Sequence, residues 1–564
     1  MRKNSFSLNV IFNILIKVLS ALVPFIVAPY LSRVLGPDGV GSFSYANSIV
    51  SYFGLVISFG FLTYGTKKIA EVRSDEEKTN DEFWAITVVK FGIFFLVSAV
   101  YFLLIFVFDF TKGFDNGIYF CFYLLLVGNF LDLTFYFQGI EKIGLFSLIN
   151  VLSNVLYMGC VFFLVKTEND LLLYTLIKSL VPVITSVTAF MFVAKKLNPR
   201  KAHLSKNGVI TTFLLSFSFF IPSLIVSVTP LIDQTMLGAI RDTTEVGYYE
   251  EANKIKMIIL LFAGAISAIV LSRISFLLKS GNREEAHKKM EQTEKVLLLC
   301  TIPAVFGIYG VSKYFFPAYF GEEYAQSSVI MYFLAPSILF SSLDTLFLNG
   351  YFYPSGKLKV ATVMILSCDL LNVITNIPAI IFMGAAGAAM TSTISNFLLL
   401  ILCVLFSRQE LKVSNLVKAS VKPLISAVLM FFSILMIDRF LQTHFILSNL
   451  VTSVILVGSG LFVYFIGLLV LREQMILHSF NRIFARKRAL RYVRLPNVNY
   501  SNEYVFVLTN QPGYDFSKIY PGKKIKVFRP GELLCKKWSK QILTDCNNEH
   551  ALKQTELFDY FNYF

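Results

Sequence analysis

Apolar residues run along this chain in blocks of about 20 or more, parted by short stretches of charge, glycine and proline. The blocks lack the polar stripe of an amphipathic surface helix, and each is long enough to cross a hydrocarbon core of roughly 30 Å. Fourteen helical spans are predicted: 9–32, 40–64, 83–108, 117–138, 146–165, 171–194, 210–233, 247–277, 296–316, 326–349, 359–381, 385–407, 422–441 and 448–471. Only Gly384 and Gly387 mark the break between spans 11 and 12. The fold class expected is an all-α polytopic membrane protein.

Basic residues orient the spans. Lys67, Lys68, Arg73, Lys142, Lys195, Lys196, Arg200, Lys201, Arg283, Lys288, Lys357, Arg408 and Lys418 fall in even-numbered loops, with Arg2 and Lys3 at the N-terminus. The odd-numbered loops hold only Lys112, Lys166, Arg241, Lys313 and Arg439. The positive-inside rule then puts both termini in the cytoplasm and the odd loops outside. Arg2 and Lys3 precede a long apolar run with no small-residue cleavage pattern behind it, so the first span is expected to be retained.

Composition agrees with this picture. Of 564 residues 55% are hydrophobic and 15% charged, with a mean hydropathy of +0.64. Several soluble domains could not each be clothed in charge from that supply. The net charge of +15 is accounted for by loops and tail and gives no reason to expect nucleic acid. Seven cysteines and five histidines are scattered without metal-ligand spacing, so no metal, cofactor or disulfide framework is expected. No Walker A loop, GxSxG or HExxH motif occurs, and the chain is not expected to be an enzyme.

Two stretches resemble each other. Leu31 to Asn47 reads LSRVLGPDGVGSFSYAN and Asp233 to Asn253 reads DQTMLGAIRDTTEVGYYEEAN. Both hold Leu-Gly, a polar turn, then Val-Gly-x-[Phe/Tyr]-x-x-Ala-Asn. A weaker echo joins Leu131–Gly139 to Leu343–Gly350. Both offsets are six spans, which predicts two pseudo-symmetric six-helix lobes related by an axis along the membrane normal. The expected divisions are 1–208, 209–410, an appended pair of spans in 411–471, and a small basic cytoplasmic extension in 472–564.

An ionised side chain at mid-bilayer costs about 2.5–3.5 kcal/mol on insertion scales, so each needs a reason. Lys17, Arg33, Lys90, Lys178, Lys254, Lys256 and Arg273 are the basic candidates; Asp132, Asp233, Glu250, Glu251, Asp344 and Asp369 are the acidic ones. Two readings are open for the cations: they line a hydrated cavity and hold an anionic head group, or they snorkel to water. Glu250 and Lys254 are spaced for a same-face helix pair. Asp233 fits a gate or a structural contact, and Asp132, Asp344 and Asp369 fit ion coupling or buried structural roles.

Pro29 to Gly54 (PYLSRVLGPDGVGSFSYANSIVSYFG) and Leu62 to Asp75 (LTYGTKKIAEVRSD) resemble the N-terminal region of Wzx-type polysaccharide flippases of the MOP superfamily, which includes MATE exporters and the lipid II flippase MurJ. Leu231–Ile255 and Asn376–Asn396 resemble that family's span 7/8 and 11/12 segments. The resemblance implies fourteen helices in two lobes around a cationic cavity. It implies translocation of an undecaprenyl-diphosphate-linked oligosaccharide across a bacterial plasma membrane, with MATE-like cation-coupled antiport of small molecules as the alternative. It also implies partners in the same pathway, a polysaccharide polymerase and glycosyltransferases. Arg33, Asp233, Lys254 and Arg273 carry over as cavity or gate positions, with Lys17 beside them. Asn396 departs from the pattern where a glutamate is expected.

The tail departs too. From Arg472 it supplies +8 of the net charge, and Arg482 to Arg494 (RIFARKRALRYVR) reads as a juxtamembrane segment attracted to an anionic leaflet. Glu503–Thr509 and Lys524–Phe528 are expected as short strands.

Overall fold

The computed structural model describes residues 3–107, 116–194, 196–408, 410–411, 413–477, 504–508 and 524–528, with side chains between 23 and 477 apart from those of 106–107, 221–223, 225–227, 229–230, 268–269, 272, 279 and 413–414. Helix α1 (Lys3–Ser58) carries both of the first two predicted spans. They are parted at Gly36, whose φ of 65° and ψ of 177° break the helical path. Glycine tolerates that φ without a Cβ penalty, and Pro37 then opens the second half with a preset φ. The second span ends at Ser58, short of the predicted residue 64. Gly60 at φ 73° turns the chain into α2 (Phe61–Val72), which buries Phe61, Tyr64 and Ile69.

The remaining spans follow as α3 (Glu76–Phe102), α4 (Asn116–Leu131) with the short α5 (Thr134–Gly139), α6 (Ile143–Leu164), α7 (Leu171–Val193), α8 (Lys206–Ile240), α9 (Thr243–Lys279), α10 (Arg283–Phe320), α11 (Ala325–Phe347), α12 (Leu358–Met383), α13 (Ala385–Ser407), α14 (Val413–His444) and α15 (Asn449–Val470). Every predicted span coincides with a helical segment. The α12/α13 break falls at Gly384, where φ is 58° and ψ −137°. Span 4 is divided between α4 and α5 at Asp132 and Leu133, where the Asp132 side chain turns back on Thr134. Its Oδ1 accepts from Thr134 N at 3.1 Å and Thr134 Oγ1 at 2.6 Å. Asp75 is the N-cap of α3, accepting from the Glu77 and Lys78 amides, and these bonds hold its carboxyl below the usual range.

One apolar cluster joins α1–α6, with Ile57, Ile86, Tyr101, Phe122 and Phe137 fully buried. Another joins α8–α13 through Leu237, Val246, Phe320, Leu334 and Ala388. Large apolar side chains also point outward: Phe95 is 70% exposed, Phe163 81% and Phe382 82%. Hydroxyls and amides such as Ser48, Thr175, Ser337 and Asn376 lie inside. This is the sidedness of a molecule whose solvent is lipid.

Residues Met1–Leu468 form one compact unit and Leu469–Phe564 a second. In the second, β1 (Tyr504–Leu508) pairs in parallel with β2 (Lys524–Phe528), Tyr504 opposite Lys524. Both expected strands are present. The basic segment 482–494 lies outside the described residues.

A polar cluster beneath interlocked turns

The two repeated motifs meet face to face. A Cβ added at Gly41 would lie 1.7 Å from the carbonyl oxygen of Thr243, and one at Gly247 would lie 2.0 Å from that of Pro37. Each glycine thus receives the carbonyl four residues before the other. Only hydrogen fits at either place. Thr243 donates to Asp38 across the same contact. Arg33 Nη2 donates to the Ala318 carbonyl at 2.6 Å, and Tyr319 OH to that of Phe25 at 2.8 Å. Arg241 donates to the Ile380 carbonyl at 3.0 Å, while the Ala385 amide donates to Glu245 at 2.8 Å. These contacts close the face of the odd-numbered loops.

Beneath the seal lies a charged cluster. Lys254 is 2.8 Å from Glu251 and 3.7 Å from Glu250. Glu251 is completely buried and also accepts from Ser32 of α1 at 3.0 Å. Glu250 accepts from Gln234 Nε2 at 2.5 Å. Ion pairs in so dry a place stabilise only when nearly every lone pair is used, and the second Glu251 oxygen has no hydrogen-bond partner among the described residues. α7 brings Lys178 over the Tyr157 ring, 4.5 Å from its centroid.

Asp233 occupies a separate knot between α8, α9, α12 and α13. It accepts from Tyr249 OH and Asn376 Nδ2, each at 2.7 Å, and from Ser392. Asn376 continues to Asn372 at 3.1 Å and to Thr391. Every partner is a donor, so the carboxylate is held as an acceptor.

Among the described side chains, the hydrogen bonds that join α8 to α9 lie at the odd-loop end. Gln234–Glu250 and Asp233–Tyr249 join them there. Towards the even-loop face, α8 packs with the first six spans, Phe59 stacking on Phe213 and Phe220. There α9 turns to α10 and the π-turn Leu348–Phe352, with Ile274 beside Gly350. Towards the even-loop face the two helices thus have different neighbours.

The expected site residues are dispersed over these features. Lys254 is in the charged cluster, Asp233 in its knot, and Arg33 in the seal, beside a cleft of about 740 Å³ lined by Ser32, Glu322, Glu323, Tyr324 and Asn449. Arg273 sits at the exposed even-loop end of α9, 3.9 Å from Glu285, and is not brought to Lys254. Asp132 precedes α5, its side chain bonded to Thr134 and its carbonyl accepting from Lys90 at 3.0 Å. Asp344 is buried with neither carboxylate oxygen hydrogen-bonded among the described residues. Asp369 is half-buried on α12. The Lys17 side chain lies outside the described residues. Ser32, Gln234, Thr391 and Ser392 have no signal in the sequence, since small polar residues are common in any membrane helix; their places appear only when the helices are packed.

Residues 7–272 match the polysaccharide biosynthesis protein family and residues 219–378 the MatE family. The chain is 25% identical over 419 residues to a protein of Escherichia coli K12 named "Putative O-antigen transporter", covering 73% of this chain and 99% of that one. It is 21% identical over 387 residues to the "Probable low-salt glycan biosynthesis flippase Agl15" of Haloferax volcanii, covering 67% and 78%. Its fold is similar to that of the lipid II flippase MurJ in an inward closed conformation, with a TM-score of 0.64 at 16% identity, covering 83% of this chain and 99% of that one. The chain is a multi-pass membrane protein.

Proposed function

We propose that this chain, by sequence family and fold a Wzx-type protein of the MOP superfamily, is a polysaccharide flippase that carries undecaprenyl-diphosphate-linked oligosaccharide repeats across the bacterial plasma membrane by alternating access. The observation that carries the reading is the charged cluster under the interlocked repeat turns. A lipid tail can stay in the bilayer while cations between the two lobes, 1–208 and 209–410, offset the diphosphate charge. Spans 13 and 14 are an addition to that pair. No covalent bond need change, and the cargo passes from glycosyltransferases on the cytoplasmic side to a polymerase outside. Both termini are cytoplasmic in this reading, so the sealed face is the outer one.

The test places purified protein in liposomes with a short undecaprenyl-diphosphate oligosaccharide in both leaflets. An impermeant glycosidase is then added outside. Digestion beyond the outer half, absent from empty liposomes, is expected. A stop at half, with or without a proton or sodium gradient, would overturn the reading. The MatE match over 219–378 favours small-molecule antiport as the second reading, which drug-efflux assays would then test.

A further inference from the structure

We propose that Glu291 and Glu294 hold a small monovalent cation in a cavity at the even-loop end of the molecule, where it fastens the α13–α14 junction to α10. The site stands apart from the charged cluster and from the Asp233 knot, and it does not depend on what the protein carries.

The early part of α10 passes the last residues of α11 and α13 and the first turn of α14. A cavity of about 20 Å³ is left among them, walled by Glu291, Glu294 and Ser407 with Phe347, Leu411 and Leu416. That is room for one water-sized occupant, since about 10–15 Å³ is enough for a water. Glu291 and Glu294 are three residues apart and so share a face of α10. Glu291 has a donor, Asn415 Nδ2 of α14 at 2.6 Å. Glu294 has none: it is only 7% exposed, and among the described residues it makes no hydrogen bond or ion pair. Lys295, the next residue, is exposed, and no lysine or arginine among the described residues pairs with Glu291 either. A buried carboxylate without donor or counter-charge is costly.

One water could bridge the two side chains, but both negative charges would stay uncompensated. A cation removes that cost, and the walls limit its kind. Among the described residues no third acid, histidine or cysteine completes a ligand cluster, so a transition metal has no set to bind. Mg2+ demands near-octahedral oxygens and usually keeps several waters, for which a water-sized space has no room. Ca2+ takes about six to eight oxygens, more than two carboxylates and a hydroxyl supply. Ser407 Oγ donates to the Val404 carbonyl at 3.3 Å, which leaves its lone pairs for an ion. A small dehydrated monovalent ion fits the space and the oxygen count. Its place is mechanical as well. Glu410 is tied to Lys357 at 2.9 Å and to Tyr351 at 2.8 Å, and Asn415 to Glu291. Leu411 lies between those two ties in the chain and against the cavity, so an ion there adds a third.

The test melts the full chain in detergent at about pH 8, with the chlorides of Na+, K+, Mg2+ or Ca2+ replacing choline chloride at constant ionic strength. Na+ is expected to raise the melting temperature saturably by about 2–4 °C, and the larger K+ by less. Mg2+ and Ca2+ should act no more strongly than choline. The Na+ shift should shrink towards about pH 5, where protons compete for the carboxylates. Glu294→Gln keeps the shape without the charge, so it should lose the Na+ response and melt in choline no lower than the parent. Equilibrium dialysis with radioactive sodium should count one ion fewer per chain in Glu294→Gln, a readout that survives a loss of stability. An equal sodium count and an equal Na+ response in variant and parent would overturn the proposal. A parent indifferent to every cation but stabilised by acid would assign the cavity to a proton, and one indifferent to both would assign it to water. A stronger response to K+, Mg2+ or Ca2+ than to Na+ would overturn the choice of a small monovalent ion. None of these outcomes bears on oligosaccharide flipping, which the liposome assay reads separately.

Discussion

Lys254 and Asp344 are opposite solutions to the same problem, a charged residue in a low-dielectric interior. Lys254 is compensated twice over. Removing it alone leaves Glu251 buried without a cation, so Lys254→Gln is expected to cost about 3–5 kcal/mol and to lower the melting temperature in detergent. The triple variant Lys254→Met, Glu250→Gln, Glu251→Gln removes both sides and should recover most of that loss while flipping stays impaired. Recovery of flipping with stability would assign the cluster a purely structural role. Asp344 is buried, and neither oxygen finds a donor among the described residues. Asparagine keeps its shape without the possible charge, so Asp344→Asn is expected to match or exceed the parent in melting temperature. If the residue couples transport to an ion, the same variant should lose acceleration by an imposed gradient. The Glu250–Lys254 spacing was readable from the sequence because four residues make a helical neighbour. The partners of Asp233 were not, because Ser392 and Asn376 come from helices more than a hundred residues away.

Between elements, glycines and caps decide where helices stop and how near they come. Gly36 was legible from its Leu-Gly-Pro-Asp-Gly context, and the structure puts the positive φ there. The break at Asp132 was not, since the flanking residues are apolar and only the folded structure shows the turn that Asp132 makes with Thr134. Repeat identity announced that Gly41 and Gly247 correspond, but not that each accommodates the other's turn. Gly41→Val or Gly247→Val is expected to keep the protein in the membrane yet prevent closure of the odd-loop face. A thiol reagent added on that side should then reach a cysteine at position 254 faster than in the parent, and unchanged labelling would refute the seal. Outside the membrane, Lys357 lies 2.9 Å from Glu410, which also accepts from Tyr351. Those bonds hold the Glu410 carboxyl below its ordinary value. A carboxyl lowered on folding stabilises above its unfolded pKa and loses that contribution as pH falls through and below the carboxylate range. Both partners are about one-third exposed, so the difference between parent and Glu410→Gln should be at most about 1 kcal/mol at pH 7 and should vanish in acid.

For the molecule as a whole, alternating access requires that the contacts closing one face be the ones that open in the other state. Fourteen spans and their repeat were legible because block length and motif register survive in one dimension. The division of α8, held by the first spans at one end and by α12 at the other, exists only in three dimensions. It makes α8 the element that must bend or pivot if the seal opens while Phe59 keeps its hold on Phe213 and Phe220. Asp38 and Thr243 touch directly across the seal and belong to the two different repeats. Replacing both with cysteine, with the native cysteines removed, should allow a disulfide, since contacting side chains bring their Cβ atoms near the spacing a disulfide needs. Oxidation is expected to stop oligosaccharide flipping and reduction to restore it, while each single cysteine variant is indifferent to oxidant. Flipping that continues with the disulfide formed would mean that cargo crosses without separating these turns, and the closed face would then be scaffold and not gate.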